Sequence, residues 1–385
     1  MITADWHLGR NRFNLDFLPF QEKLLMEWLL PLAEKADLLV VAGDIFDAKH
    51  PSSETLNVFS RFAAALADRK VQAVFVAGNH DLPELVVYMQ GILSRHGLFS
   101  VSSAGWSVER AVLPGVPDLV FLPHMTRFDL SQHGVDSVEE MIARLGEHFP
   151  PEEKVLITHL TVLADASGGE ADSDWEMGLV PSVPETLFRQ WKLAVSGHLH
   201  GHHTVGQKVV YPGSLLKYHS REVHQTKTVL QVDTKTGSWT REPIPQILDM
   251  VLVKGYMQGG RFLLEERLSR ESLQGKEAIL ARVVLTRPGS DLRTPHAVQE
   301  TLRETLKVDA VYFGGVERVE GQTTEETPTS VRSIEGLSPR DLALRYLEEK
   351  NILEALDRNL VCAILDEALA RMKEGGDHET APSCS

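Results

Sequence analysis

The 385-residue chain reads as an α/β protein: a layered β-sandwich core with helices on the outside, a small α/β capping domain and a C-terminal helix pair. Two observations predict the core. Short β-branched runs alternate with amphipathic stretches, the pattern of stacked α/β layers. Each early run also stops in a turn bearing a carboxylate, amide or imidazole, which is where open α/β sheets place their ligands. The most informative stretch is Val71 to Asp81, where VQAVFVA ends abruptly in Gly-Asn-His-Asp. One such turn would be unremarked loop chemistry, but the chain repeats the device four more times.

The elements follow in order. Met1 to Ala4 is the stub of a first strand leading into DWHLG, where Asp5 and His7, two apart in extended chain, project to one side. Phe20, Leu24, Leu25, Trp28, Leu29 and Leu32 recur at helical spacing, giving a helix over Leu18 to Ala36. DLLVVA (Asp37 to Ala42) is a buried strand ending in GDIFD, with Asp44 and Asp47. A second helix begins near Pro51, the organising strand follows, and a third helix spans Pro83 to His96. Further on come a strand at Leu119 to Leu122, an acidic helix at Val138 to His148, and a strand at Val155 to Thr158 ending in His159. Thr161 to Pro184, rich in Gly, Ser, Asp and Glu, reads as a mobile loop. Leu193 to Ser196 then leads into Gly-His198-Leu-His200, and strands at Lys208 to Tyr211 and Thr228 to Val232 close a body spanning 1–245. Right-handed crossovers bring these strand ends to one edge.

Residues 246–319 restart with strand (Ile247 to Val253), helix (Arg261 to Ser272), strand (Ala278 to Thr286), helix (Pro295 to Leu306) and strand (Val308 to Val319), without ligand-type residues at the strand ends. This is the capping domain. Residues 320–335 are polar, Thr-rich and aperiodic, hence a linker. Residues 336–385 form a helical module and tail, in which Leu353, Leu356, Leu360, Ile364, Ala368 and Met372 make one apolar stripe. A tethered helix pair cannot bury both faces alone, so a docking module for a partner is expected.

Composition narrows the class. With 43% hydrophobic and 24% charged residues the chain is ordinary globular material. Its two cysteines, Cys362 and Cys384, offer no disulfide framework and fit a reducing cytoplasm. No apolar run approaches the ~20 residues of a membrane span, and no signal peptide precedes Asp5. The net charge of −15 argues against coating nucleic acid through bulk charge, but not against a nuclease with a local basic groove. About half of that excess lies in 320–385, with fourteen Asp/Glu against seven Lys/Arg.

Together the strand ends offer Asp5, His7, Asp44, Asn79, His80, His159, His198 and His200. Nitrogen and oxygen donors without sulfur suit manganese, iron or zinc. Eight exceed one ion's need and suit two ions ~3.5–4 Å apart sharing a carboxylate, which activate water for attack on phosphorus. His124, His202 and His203 read as loop residues near the site, Arg10 and Asp47 as supporting hydrogen-bond partners, and Trp6 as packing.

The five motifs D-x-H, GDxFD, GNHD, TH and GHxH, in this order from Asp5 to His200, resemble the calcineurin-like metallophosphoesterases. The resemblance implies one ion on Asp5, His7, Asp44 and His200 and a second on Asp44, Asn79, His159 and His198, with Asp44 bridging. It also implies that His80 meets the substrate phosphate and protonates the leaving oxygen, and that Asp81 orients the His80 imidazole. DWHLG, VAGDIFD, VAGNHD, THL, SGHLH and YPGSL look closer still to the SbcD-type nuclease subunits, the bacterial branch of the double-strand-break repair nucleases. That likeness implies manganese-dependent exonuclease and endonuclease action on double-stranded DNA ends and hairpins in DNA repair, recombination and replication. It further implies an SbcC-type ATPase bound through the C-terminal helices, and a homodimer through the helices at Ser52 to Asp68 and Pro83 to His96. The chain departs from the pattern in having only four residues ahead of Asp5, so either the start codon is mis-set or the first strand is shortened. A small-molecule phosphatase or cyclic-nucleotide phosphodiesterase is the alternative reading, and a scaffold that kept the fold without the activity is a third.

Overall fold

Two sheets face each other across an apolar interior. The computed structural model describes residues 1–13, 15–88, 90–113, 115–164, 182–265, 276–286, 294–306 and 310–318. The first sheet has the spatial order Trp239–Pro243, Thr228–Val232, Ile2–Thr3, Leu39–Ala42, Ala73–Val76, Leu98–Val101. It is parallel from Ile2–Thr3 to Leu98–Val101, and Thr228–Val232 runs antiparallel to both of its neighbours. The second sheet has the order His203–Val205, Val209–Tyr211, Leu193–Gly197, Val155–His159, Leu119–Leu122, antiparallel only at its His203–Val205 edge. The stub Ile2–Thr3 thus occupies the middle of the first sheet despite its length.

Strand periodicity decides which side chains go where. Val40, Ala42, Val74 and Val76 face the second sheet and pack with Leu156, Ala194 and Val195. The alternate residues Leu39, Val41, Ala73 and Phe75 pack with Leu25, Leu29, Phe62 and Leu66 of the covering helices. Burial on both faces explains why these strands read as unbroken apolar runs. The covering helix Ser53–Asp68 starts where the Ser52 hydroxyl accepts from Thr55 N at 3.2 Å, a cap that satisfies one of its free amides.

The remaining sheet has the order Arg261–Leu264, Leu248–Gln258, Ala278–Leu285, Ala310–Arg318, with the helix Thr294–Leu306 against it. Val253, Phe262, Ile279, Ala281, Val298 and Leu302 form its own core. Its other face supplies Leu248, Met250, Ala278 and Leu280 to the core beneath the body's helices.

The structure corrects three expectations. The helix expected over Arg261 to Ser272 opens as the strand Arg261–Leu264, because Gly259-Gly260 forms a two-residue hairpin turn that pairs Gln258 with Arg261; residues 266–275 lie outside the described residues. The expected loop Thr161 to Pro184 has ordered ends, since Thr161–Leu163 pairs in parallel with Ser182–Pro184, and 165–181 lie outside the described residues. The third helix is broken into Pro83–Val87, Gln90–Leu93 and a 3₁₀ turn at Ser94–His96. The linker at 320–335 and the helical module at 336–385 also lie outside the described residues. Among the described residues no helix is long and apolar enough to cross a membrane.

Candidate metal centre

The backbone past the strand ends continues the sheet without being strand. Asp5 N donates to Gly43 O (3.1 Å), His7 N to Asp44 O (3.0 Å) and Leu8 N to Ile45 O (2.9 Å), so the first two motif turns run side by side. Asp5, His7, Asp44 and His198 all have positive φ (50°, 45°, 52° and 96°). The left-handed region disfavours side chains, and such strain persists where the surroundings impose it, as at functional sites. Asp5 and His7 therefore converge through a turned backbone, and the expectation of extended chain there does not hold. Glycine precedes Asp44, Asn79 and His198 for lack of room. A Cβ on Gly43, at φ +94°, would lie 2.0 Å from His159 Nδ1, and one on Gly78 would lie 2.1 Å from Asp44 Oδ1.

Asp44 sits between two groups of donors. Its Oδ2 is 3.6 Å from His7 Nε2 on one side and 3.4 Å from His159 Nε2 on the other. Its Oδ1 accepts from His80 N at 3.0 Å. On the first side His7 Nε2 faces His200 Nε2 at 3.0 Å, and Asp5, His7 and Asp44 each bring a ligand atom within 4.8 Å of the others. On the second side His159 Nε2 is 3.0 Å from Asn79 Oδ1. The His198 ring packs edge-on against that of His159, and His198 N donates to Asp5 Oδ1 at 2.8 Å. The expected donors are thus brought to one place.

Tautomers make the fit to cations specific. His200 Nδ1 faces Glu222 Oε1 at 3.1 Å, and His7 Nδ1 has Asp47 Oδ1 3.3 Å away. The Glu222 carboxylate places the His200 hydrogen on Nδ1 and turns the His200 Nε2 lone pair toward His7 Nε2. The 3.0 Å between the two Nε2 atoms is also the separation of two nitrogens about 2.1 Å from one ion at a right angle. His159 repeats the arrangement, because its Nδ1 donates to Ala42 O at 3.0 Å and turns Nε2 toward the oxygens of Asn79 and Asp44. Asp5 Oδ2 is buried without a hydrogen-bond partner, a further acceptor suited to an ion.

The electrostatics agree. Burial alone would raise Asp44, but the positive charge and hydrogen bond of His159, with His7 beyond, hold its carboxyl well below the usual range. Burial would lower His159, yet the Asp44 charge pushes it up to about 9. Burial pushes His7 down to about 4 and His198 down to about 3, so both imidazoles are neutral and ligand-competent at pH 7. Asp5 is raised to about 7 by burial, against the pull of His159 and His200. This is an acceptor-rich pocket that favours positive charge beside Asp44.

The hydrogen bonds of Asp81 run to backbone amides. Its carboxylate accepts from Gly78 N (2.8 Å), Ile45 N (3.1 Å) and Phe46 N (2.9 Å), tying the GNHD turn to the GDIFD turn. The His80 ring is held by another group, with Nδ1 2.9 Å from Asp47 O. Asp47 also takes Arg10 at 3.1 Å, and Arg10 lies over the Tyr218 ring. His202 Nδ1 turns to Tyr211 O (2.8 Å), His203 begins an exposed edge strand, and Trp6 is fully buried against Phe62 and Phe75. Sequence reading missed Gln21, Tyr218 and Glu222. Gln21 Nε2 lies 2.8 Å from His7 O, the Tyr218 hydroxyl donates to Trp6 O at 2.5 Å, and Glu222 meets His200. No spacing or motif marks them, and only their buried positions in the fold reveal them.

Comparison with known proteins agrees with this chemistry. Over 283 residues the chain is 25% identical to the SbcD subunit of the SbcCD nuclease of Staphylococcus epidermidis, covering 69% of this chain and 74% of that protein. Over 255 residues it is 26% identical to the corresponding SbcCD nuclease subunit of Staphylococcus saprophyticus, covering 63% of this chain and 67% of that protein. Residues 1–202, which hold every donor described above, match the calcineurin-like phosphoesterases, and the chain belongs to that family.

Proposed function

We propose that the chain is a manganese-dependent DNA nuclease that hydrolyses phosphodiester bonds at double-stranded ends and hairpins with two divalent ions. The observation that carries this reading is the division of donors about Asp44, with His7 and His200 on one side and His159 and Asn79 on the other. Asp5, His7, Asp44 and His200 would hold one ion, and Asp44, Asn79, His159 and His198 the other. When bound, such a pair activates water for in-line attack and neutralises charge on the phosphoryl oxygens.

The chain's own residues do the rest. His80 contacts the phosphate and, as the imidazolium with a hydrogen on each nitrogen, gives its Nε2 proton to the leaving oxygen and ends neutral, while the Nδ1 hydrogen stays with the Asp47 carbonyl. Asp81 keeps the two motif turns in register through three backbone amides. Support for DNA as substrate comes from the relatives named as nuclease subunits and from the mass beyond the body, which a small substrate does not require. On this reading 246–319 positions duplex DNA, 336–385 binds an SbcC-type ATPase, the helices around 52–68 and 83–96 pair two copies, and the enzyme works in the cytoplasm in DNA repair.

The test is cleavage of linear duplex, hairpin DNA and a small phosphodiester by the purified full chain, with manganese, magnesium or chelator, and with or without the ATPase. His80→Ala should lower manganese-dependent DNA cleavage by ~10²–10⁴-fold with bound manganese unchanged. Turnover of the small phosphodiester without DNA cleavage would favour a small-molecule phosphodiesterase. Loss of manganese in His80→Ala would move His80 into the ligand set.

A further inference from the structure

We infer that the buried Glu222–Lys227 ion pair is the positioning element for His200, gripping that residue through its ring and its main chain at once. The inference rests on the metal-centre reading above and extends it to two residues that no motif marks. Glu222 Oε1 takes the hydrogen of His200 Nδ1 at 3.1 Å. Glu222 Oε2 is paired with Lys227 Nζ, and Lys227 Nζ also donates to His200 O at 2.9 Å. The three residues close a ring: imidazole to carboxylate, carboxylate to ammonium, ammonium back to the same histidine's carbonyl. All are buried, with His200 7%, Glu222 3% and Lys227 1% exposed.

A buried lysine–glutamate pair is an inefficient way to stabilise a fold. Desolvation offsets most of the Coulombic gain, and apolar residues of similar volume often do as well or better. The arrangement is therefore explained by what it orients. A carboxylate on Nδ1 fixes the tautomer, makes Nε2 the lone-pair atom and sets the ring plane, as partners of metal-bound histidines do. The carbonyl contact fixes the main chain carrying the ring, together with Ser214 N, which donates to the same oxygen at 2.9 Å.

The reach extends to the first motif turn. Glu222 Oε2 also accepts from Tyr218 N at 3.1 Å, and the Tyr218 hydroxyl bonds Trp6 O, the carbonyl just before His7. One carboxylate thus sets His200 directly and fixes the segment whose tyrosine holds the turn presenting His7. This accounts for the 3.0 Å approach of the two Nε2 atoms, which come from opposite ends of the body's sequence.

The experiment is a manganese titration, followed by electron paramagnetic resonance, of the full chain and of Glu222→Gln, His200→Ala and the double variant, with folding checked by circular dichroism. Glu222→Gln should weaken manganese binding by roughly 10-fold or more at one of two positions, within the range seen when partners of ligating histidines are removed. In the His200→Ala background it should add no further loss, because a residue acting through His200 has nothing left to act on. Glu222→Asp, which keeps a charge for Lys227 but draws the carboxylate back from Nδ1, should show the same loss in smaller measure. Unchanged affinity in Glu222→Gln, additive losses in the double variant, or unfolding of both Glu222 variants would overturn the proposal and leave the metal centre standing. A wild-type chain that binds no manganese would overturn the metal-centre reading itself.

Discussion

The two-sheet body and the four-stranded sheet after it are both built largely from parallel strands and covering helices, yet they fill their interiors differently. In the body, Asp5, His7, Asp44, Asp81, His159, His200, Glu222 and Lys227 are all buried, and the buried polar side chains among the described residues end at Thr228. In the later sheet the core is Val253, Phe262, Ile279, Ala281, Val283 and their apolar neighbours. Backbone strain divides the same way. Of the described non-glycine residues with positive φ, four of six are the donors Asp5, His7, Asp44 and His198, and none lies beyond His198. Buried charge and left-handed backbone both cost stability, so where they concentrate marks where a fold has been shaped for chemistry. Strand order alone would not have separated the two regions.

The comparison breaks most decisively at Asp44. Asp44→Asn keeps the shape and removes the charge between His7 and His159, each within 3.6 Å of Oδ2. Both proposed ions share this group. Manganese content should fall at both positions and DNA cleavage by ~10³-fold or more, the equivalent of several kcal/mol of lost transition-state stabilisation. Elemental analysis and a cleavage time course read the two effects separately. A variant with full manganese and a tenth of the activity would remove Asp44 from the bridge.

A matched pair of glycine substitutions sharpens the contrast at smaller scale. In Gly78→Ala the new Cβ would meet Asp44 Oδ1 at 2.1 Å and Asp44 N at 2.3 Å, neither of which can yield without moving the centre. Stability should drop by ~1–3 kcal/mol in urea unfolding, with manganese affinity falling alongside it. In Gly260→Ala, φ is +77° but nothing lies within 4 Å, so only backbone strain of ~1–2 kcal/mol is expected, with manganese binding intact. Equal loss of manganese binding in both would mean that the later sheet is coupled to the centre more tightly than its apolar core suggests.

The part of this organisation that is legible in the sequence is the part carried by local chemistry. Apolar runs stopping in Gly-Asp, Gly-Asn-His-Asp or Gly-His-Leu-His announce buried strands with donors at their ends, because period and punctuation fall within a dozen residues. The Gly259-Gly260 hairpin is equally local, but the apolar residues after it also fit a helical stripe; there turn chemistry outranks periodicity. Other features cannot be read at all. That Asp5 and His7 converge through positive φ depends on pairing with Gly43 and Asp44, which the chain reaches only after a long helix. That Asp81 serves backbone amides while the Asp47 carbonyl holds His80 depends on how two turns meet. The partners that orient ligands come from wherever the fold brings them, and Glu222 is an ordinary surface-type residue until His200 lies beside it.

The smallest expected effect lies at the joint between the two regions. Asp249, on the Leu248–Gln258 strand, takes Lys217 of the body at 2.8 Å on one oxygen and Lys276 at 2.8 Å on the other. Burial pushes the carboxyl up, but the two ammonium groups outweigh it and hold the carboxyl below its ordinary value. The folded-state value is then below the unfolded value of about 3.9, and between the two the unfolded chain binds more protons. The contribution to stability is therefore fully present above the unfolded value and is lost as pH falls through the folded one. Asp249→Asn should cost about 1 kcal/mol at neutral pH, as partly exposed ion pairs do, and should leave manganese binding and DNA cleavage unchanged. Urea midpoints of wild type and variant should begin to converge as pH falls below the unfolded value of about 3.9 and should meet once it has passed the lower folded value, where both carry a neutral side chain at this position. A gap that stays constant across that range would mean Asp249 joins the two regions by packing. In that case Lys217, which also donates to Val223 O at 2.8 Å within the segment that carries Glu222, would keep its place without the carboxylate.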